Sequence, residues 1–130
     1  MESVVDRGAV YAQVARGMRF VGGALTLVDL SPSTIWMSPV PARLGYLSTG
    51  AFLDRWADAR LEGSPGTRRV AGSLALLDAD SVLAGDAGLV LSRPRVTPSG
   101  LTYDAEVTEG LVPRGSGACV LFLRWDTRPA

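Results

Sequence analysis

Leu101-Thr102-Tyr103-Asp104-Ala105-Glu106-Val107 alternates apolar and polar side chains, the period-two signature of a half-buried strand. Upstream, Gly88-Leu89-Val90-Leu91-Ser92 reads as a second strand, ended by Arg93-Pro94-Arg95. Downstream, Ala118-Cys119-Val120-Leu121-Phe122-Leu123 is apolar at every position. A strand of that kind needs cover on both faces, which puts it, Phe122 included, in the middle of a packed core. The stretch from Ala87 to Arg124 therefore predicts a three-stranded antiparallel meander. Leu111 to Ser116 is its last hairpin connection, because Pro113 cannot continue a ladder.

Outward from the meander, Val10-Tyr11-Ala12-Gln13-Val14 is strand-like and Gly22-Gly23 is a turn signal. Ala24 to Leu30 reads as a strand broken by Ser31-Pro32-Ser33, and Thr34-Ile35-Trp36-Met37-Ser38 as a third, closed by Pro39-Val40-Pro41. One helix follows, capped by Ser48 or Thr49, with Phe52, Trp56 and Ala59 on one face and Gly63 as its C-terminal stop. Arg55 falls largely off that face, where it can meet Asp58. Val70 to Leu77 is another strand. About seven strands and one short helix predict a mainly β domain, an antiparallel β-sandwich or a small, partly open β-barrel.

The chain has 130 residues, which predicts one domain over 1–130, with 1–9 as a loose N-terminal arm. Acidic and basic residues balance at 13 each, so no net field draws in nucleic acid or an anionic membrane. Every basic residue is arginine, and histidine is absent. That removes the usual general base near neutral pH, the commonest metal ligand and all His-based triads. Cys119 is the single cysteine, so no intramolecular disulfide forms, and its apolar surroundings predict a buried, inert thiol. No basic leader and no apolar run of about 18 residues is present, so the expected location is the cytoplasm.

Several segments resemble a family of small, mostly uncharacterised and often exported bacterial β-rich domains. The matching segments are Leu25-Thr26-Leu27, Leu30-Ser31-Pro32-Ser33-Thr34 and Ile35-Trp36-Met37-Ser38. The helix from Ser48 to Trp56, Arg93-Pro94-Arg95, Leu101-Thr102-Tyr103-Asp104 and Val120-Leu121-Phe122-Leu123 continue the likeness. Where that family carries Phe-Ser-Asp-Arg-Pro, this chain has Met37-Ser38-Pro39-Val40-Pro41, with Arg43 nearby. Where many members carry a histidine before the helix, this chain has Tyr46. The resemblance implies a β-rich fold and brings no established activity with it.

Three constellations carry potential chemistry. Asp78-x-Asp80 with Asp86 has carboxylates for a cation but lacks the glycine and terminal glutamate of an EF-hand loop, and turn chemistry at strand ends is the plainer reading. Arg93 and Arg95 opposite Asp104 and Glu106 form either an anion site or cross-strand ion pairs, the second being the plainer reading. Trp36, Trp56 and Tyr103, with Arg43 and Tyr46, suggest an apolar pocket lined by aromatic rings, against the simpler reading that the rings fill the core. The expected function is a non-enzymatic binding or interaction domain without a cofactor, its partner another protein or a small apolar ligand. The alternative is a cofactor-independent cyclase or isomerase of an apolar metabolite, using Arg43, Tyr46, Tyr103 and Glu106.

Overall fold

The computed structural model describes residues 9–39, 42–57, 68–77, 83–112 and 117–125. The strands are β1 (Ala9–Val21), β2 (Ala24–Leu30), β3 (Ser33–Pro39), β4 (Ala42–Ser48), β5 (Val70–Leu77), β6 (Leu83–Thr97), β7 (Gly100–Gly110) and β8 (Cys119–Trp125), and Thr49–Trp56 is the helix α1. All pairings are antiparallel. They run β2-β7-β6-β5-β8-β1, and β1 pairs again with β2. The sheet thus closes on itself as a six-stranded barrel, with β3 and β4 as an extension. It is a barrel and not a sandwich.

β1 is the shared wall. Its residues Ala15 to Val21 pair with β2, while Val10 to Ala12 pair with β3 along the same edge. The break between β2 and β3 has local causes. Asp29 takes a positive φ of 53°, and Pro32 has no N–H to give to a ladder. Ser31 N still donates to Val14 O at 2.8 Å, which holds the break against β1. At the other end of β1, Gly22 and Gly23 both have positive φ between the paired residues Val21 and Ala24. Two such residues make a hairpin turn whose twist matches that of the strands.

Alternation along β1 fixes the inside: Ala9, Tyr11, Gln13 and Ala15 are buried, and the residues between them are not. Leu25, Leu27, Leu74, Leu89, Leu91, Leu101, Leu121 and Leu123 fill the interior from the other strands. Ala9 is fully buried, so the ordered wall begins inside the span expected to be a loose arm, whose residues 1–8 lie outside the described residues.

The structure corrects the meander. β6 and β7 are neighbours, but β8 pairs with β5 and β1. The expected last hairpin does not form, and Pro113 to Ser116 lie outside the described residues. β6 also continues through Arg93-Pro94-Arg95, because a register irregularity between Ser92 and Arg95, with Arg93 at φ 53°, passes the proline without ending the strand. β8 is central to the sheet, yet its outer face is open: Cys119, Leu121 and Leu123 point inward and are buried, whereas Phe122 points outward and is exposed. A strand apolar at every position is therefore covered on one side only. β4, between Pro41 and the helix, is a strand the sequence did not announce.

Ser48 caps α1 by accepting a hydrogen bond from Ala51 N at 3.1 Å. Phe52 and Trp56 are its buried residues, as the periodicity predicts. The helix ends at Trp56, and the Ala59 and Gly63 expectations lie outside the described residues. No helix among the described residues is long and apolar enough to cross a membrane.

Candidate functional site

The five aromatic and arginine residues singled out above divide into three groups. Trp56 and Tyr103 meet inside the barrel, ring centroids 6.1 Å apart. Trp56 also packs edge-on against Phe52 at 6.1 Å, and Phe52 against Tyr11 at 5.8 Å. These four rings come from α1, β1 and β7 and dock the short helix on the barrel, which supplies the tertiary support an eight-residue helix needs.

Around the rings lies a buried polar chain that the sequence did not reveal. Tyr103 Oη donates to Gln13 Oε1 at 2.5 Å, and Gln13 Nε2 donates to Thr34 Oγ1 at 3.2 Å. Gln13, Tyr103 and Thr34 are all fully buried. Burial pushes the Tyr103 phenol far above its ordinary range, with the Gln13 hydrogen bond pulling weakly the other way. A neutral tyrosine held between Gln13 and the Trp56 ring is a structural tie. Arg55 is also drawn in: its Nη1 donates to Tyr11 Oη at 2.9 Å, with the guanidinium 6.0 Å from that ring's centre. It is not a purely solvated residue.

Trp36 and Arg43 form the second group. Trp36 lies opposite Gly45, and its indole lies flat over that glycine: a Cβ there would come within 2.7 Å of the ring. Arg43 Cζ sits 5.4 Å from the centre of the Trp36 ring, a cation–π contact. Tyr46 is the third group, on the opposite face of the extension and well exposed. The five residues do not converge on one pocket: strand alternation sends Tyr46 outward and the helix takes Trp56 into the core.

A cavity does form elsewhere. It holds about 550 Å³ and is bordered by Val10, Met37, Pro39, Ala42 and Leu44, together with Ser38 and Arg43. Of the expected residues only Arg43 reaches it. Ser38 is buried, and its Oγ has no hydrogen-bond partner among the described residues.

This cavity adjoins a wider apolar surface. Leu44, Met37 and Val10 stand in one cross-strand row, which ends on the exposed Arg124 of β8; Tyr46, Ile35, Ala12 and Phe122 stand in the next. Directly opposed residues share a face. Tyr46 is 69% exposed, Leu44 65% and Met37 52%, with Phe122 and Val14 also open. Together they form one exposed apolar patch, not single scattered side chains.

The remaining constellations resolve as structure. Arg95 Nη1 lies 3.0 Å and Arg93 Nε 3.5 Å from the Asp104 carboxylate, and Arg69 Nη2 is 2.7 Å from Glu106 Oε1. These are cross-strand ion pairs on a solvated face, although the partner of Glu106 is Arg69 on the way into β5. Asp78 and Asp80 lie outside the described residues.

Fold and site together define a closed six-stranded antiparallel β-barrel carrying a two-stranded extension with an exposed apolar face. Compared with known proteins, the chain matches no family model, no curated protein and no solved structure.

Proposed function

We propose that this is a non-enzymatic interaction domain that docks an apolar portion of another protein on the outer face of β3, β4, β1 and β8. The supporting observation is the continuity of that face. Leu44, Met37 and Val10 adjoin Tyr46, Ile35 and Phe122 across paired strands, with a cavity of about 550 Å³ beside Met37 and Leu44. Leaving such side chains in water is unfavourable by about 25 cal/mol per Å², and a partner would recover it. The volume suits one or two large apolar side chains.

A small apolar ligand is the second reading, favoured by Ser38. Ser38 borders the cavity and its Oγ is buried without a partner among the described residues, so a ligand whose polar atom reached it would satisfy it. The cyclase or isomerase reading has less behind it, since Tyr103 is inside the barrel, Tyr46 outside it, and only Arg43 borders the cavity.

Titration with the apolar fluorophore 8-anilinonaphthalene-1-sulfonate tests the site on the native protein. Saturable enhancement that is lost in Met37→Glu supports docking here. Native protein that gives no saturable signal overturns it. If the signal survives Met37→Glu but falls in Ser38→Ala, the small-ligand reading takes precedence.

A further inference from the structure

β4 ends the sheet. It pairs with β3 on one side, and among the described residues no strand pairs with the other. An edge strand exposes a row of backbone N–H and C=O groups, and proteins ordinarily blunt such edges with charge, proline or a covering element. Along Ala42 to Ser48 the only charge is Arg43, and its guanidinium is turned over Trp36. The outer face of this edge carries Leu44 and Tyr46, the two most exposed side chains of the apolar surface.

The strand is also self-complementary. It has seven residues, with Gly45 at its centre. Antiparallel pairing with a second β4 about a twofold axis at Gly45 uses the full length of both strands. Ala42 then meets Ser48, Arg43 meets Leu47, and Leu44 meets Tyr46 of the second copy. Each aliphatic side chain on the outer face thus opposes a ring, a favourable cross-strand pair, and it does so twice. Arg43 faces Leu47 and not its own copy, so no like charges are opposed. The axis passes where Gly45 has no side chain. Shifting the axis by one residue leaves strand ends unpaired.

We infer that this chain forms a twofold dimer by antiparallel β4–β4 pairing, which joins two eight-stranded sheets into one. This rests on the edge and its residue pattern and holds whatever the outer face binds. It also doubles that face, because the Leu44 and Tyr46 surfaces of the two copies become continuous. Two paired seven-residue edges bury on the order of 1,000 Å² in total, the lower end of specific interfaces, so the dimer should be reversible.

Sedimentation velocity across protein concentration reads the assembly directly. The expected result is a species of twice the 13.7 kDa chain that dissociates on dilution. Two variants with equally polar edges then test the register. Leu44→Lys/Tyr46→Lys sets like charges opposite each other twice and should weaken the dimer at least tenfold. Leu44→Lys/Tyr46→Glu sets opposite charges there and should restore it. Wild-type protein that stays monomeric at about 1 mM overturns the inference, far above the range expected for such an area. So does a dimer that persists in the first variant or is lost equally in both. Amide exchange on the wild type needs no variant: protection across 42–48 should rise with concentration, and its independence of concentration also overturns the dimer. Met37 lies one strand away from the axis, so Met37→Glu should abolish fluorophore binding and leave the dimer intact.

Discussion

Tyr103 and Gln13 hold each other across the barrel interior, phenol oxygen to amide oxygen at 2.5 Å. The bond joins β7 to β1, and Gln13 carries it on to Thr34 in β3, next to the break where barrel and extension part. Tyr103→Phe removes the donor and strands a buried amide oxygen. It should cost about 1–3 kcal/mol in urea unfolding. Gln13→Leu should cost a similar amount, and the double variant less than the sum, because both partners then become apolar together. Strict additivity would show that the two side chains act independently.

Trp56 and Phe122 make a contrasting pair. Trp56→Ala should cost about 3–5 kcal/mol, since it opens a cavity among Phe52, Tyr103 and the helix. Phe122→Ser should cost less than about 1 kcal/mol, because its side chain faces outward. Arg55→Ala should fall between them, through its hydrogen bond and ring contact with Tyr11. Thermal and urea unfolding of the three variants gives the order, and a large loss for Phe122→Ser would place it in the core.

Gly45→Ala probes the seat of Trp36. The added methyl would lie within 2.7 Å of three indole atoms, so the ring must move off β4 and leave the Arg43 guanidinium. Overpacking of this kind costs about 1–3 kcal/mol. Tryptophan emission should shift to the red as the indole gains water. Unchanged emission and stability would mean that Trp36 does not lie over Gly45.

Cys119 gives the domain a pH dependence in the alkaline range. Burial raises its thiol from the ordinary 9.0 to about 11. In the unfolded chain the thiol ionises above about pH 9; in the folded barrel it stays protonated. The folded state therefore binds more protons, and stability is intact below pH 9 and falls as pH rises toward 11. Tyr103, raised by burial, adds a loss of the same sign at higher pH. Melting temperatures from pH 8 to 11 should fall less steeply in Cys119→Ala than in the wild type. A thiol reagent at pH 8 should leave the native protein unmodified, and rapid labelling would place Cys119 outside the interior.

What the sequence determined was local. Alternation in Leu101 to Val107, the Gly22-Gly23 turn, the Pro32 break and the Phe52–Trp56 spacing each record a preference of adjacent residues, and the structure contains all four elements. A mainly β domain with one docked helix followed from them. Only the tertiary structure decided which strands became neighbours. β8 reads as the partner of β7, but closing six strands into a barrel required it between β5 and β1. The same closure left the outer face of β8 open, so Phe122 is exposed although nothing in its own strand distinguishes it from Leu121. Gln13 carried no signal, because its partners are 21 and 90 residues away in the chain. β4 was hidden since Ala42 and Gly45 are weak strand formers, held there by β3 and by Trp36 lying over Gly45. Strand period is written in neighbouring side chains, whereas pairing and facing are set by the lowest free energy of the closed sheet.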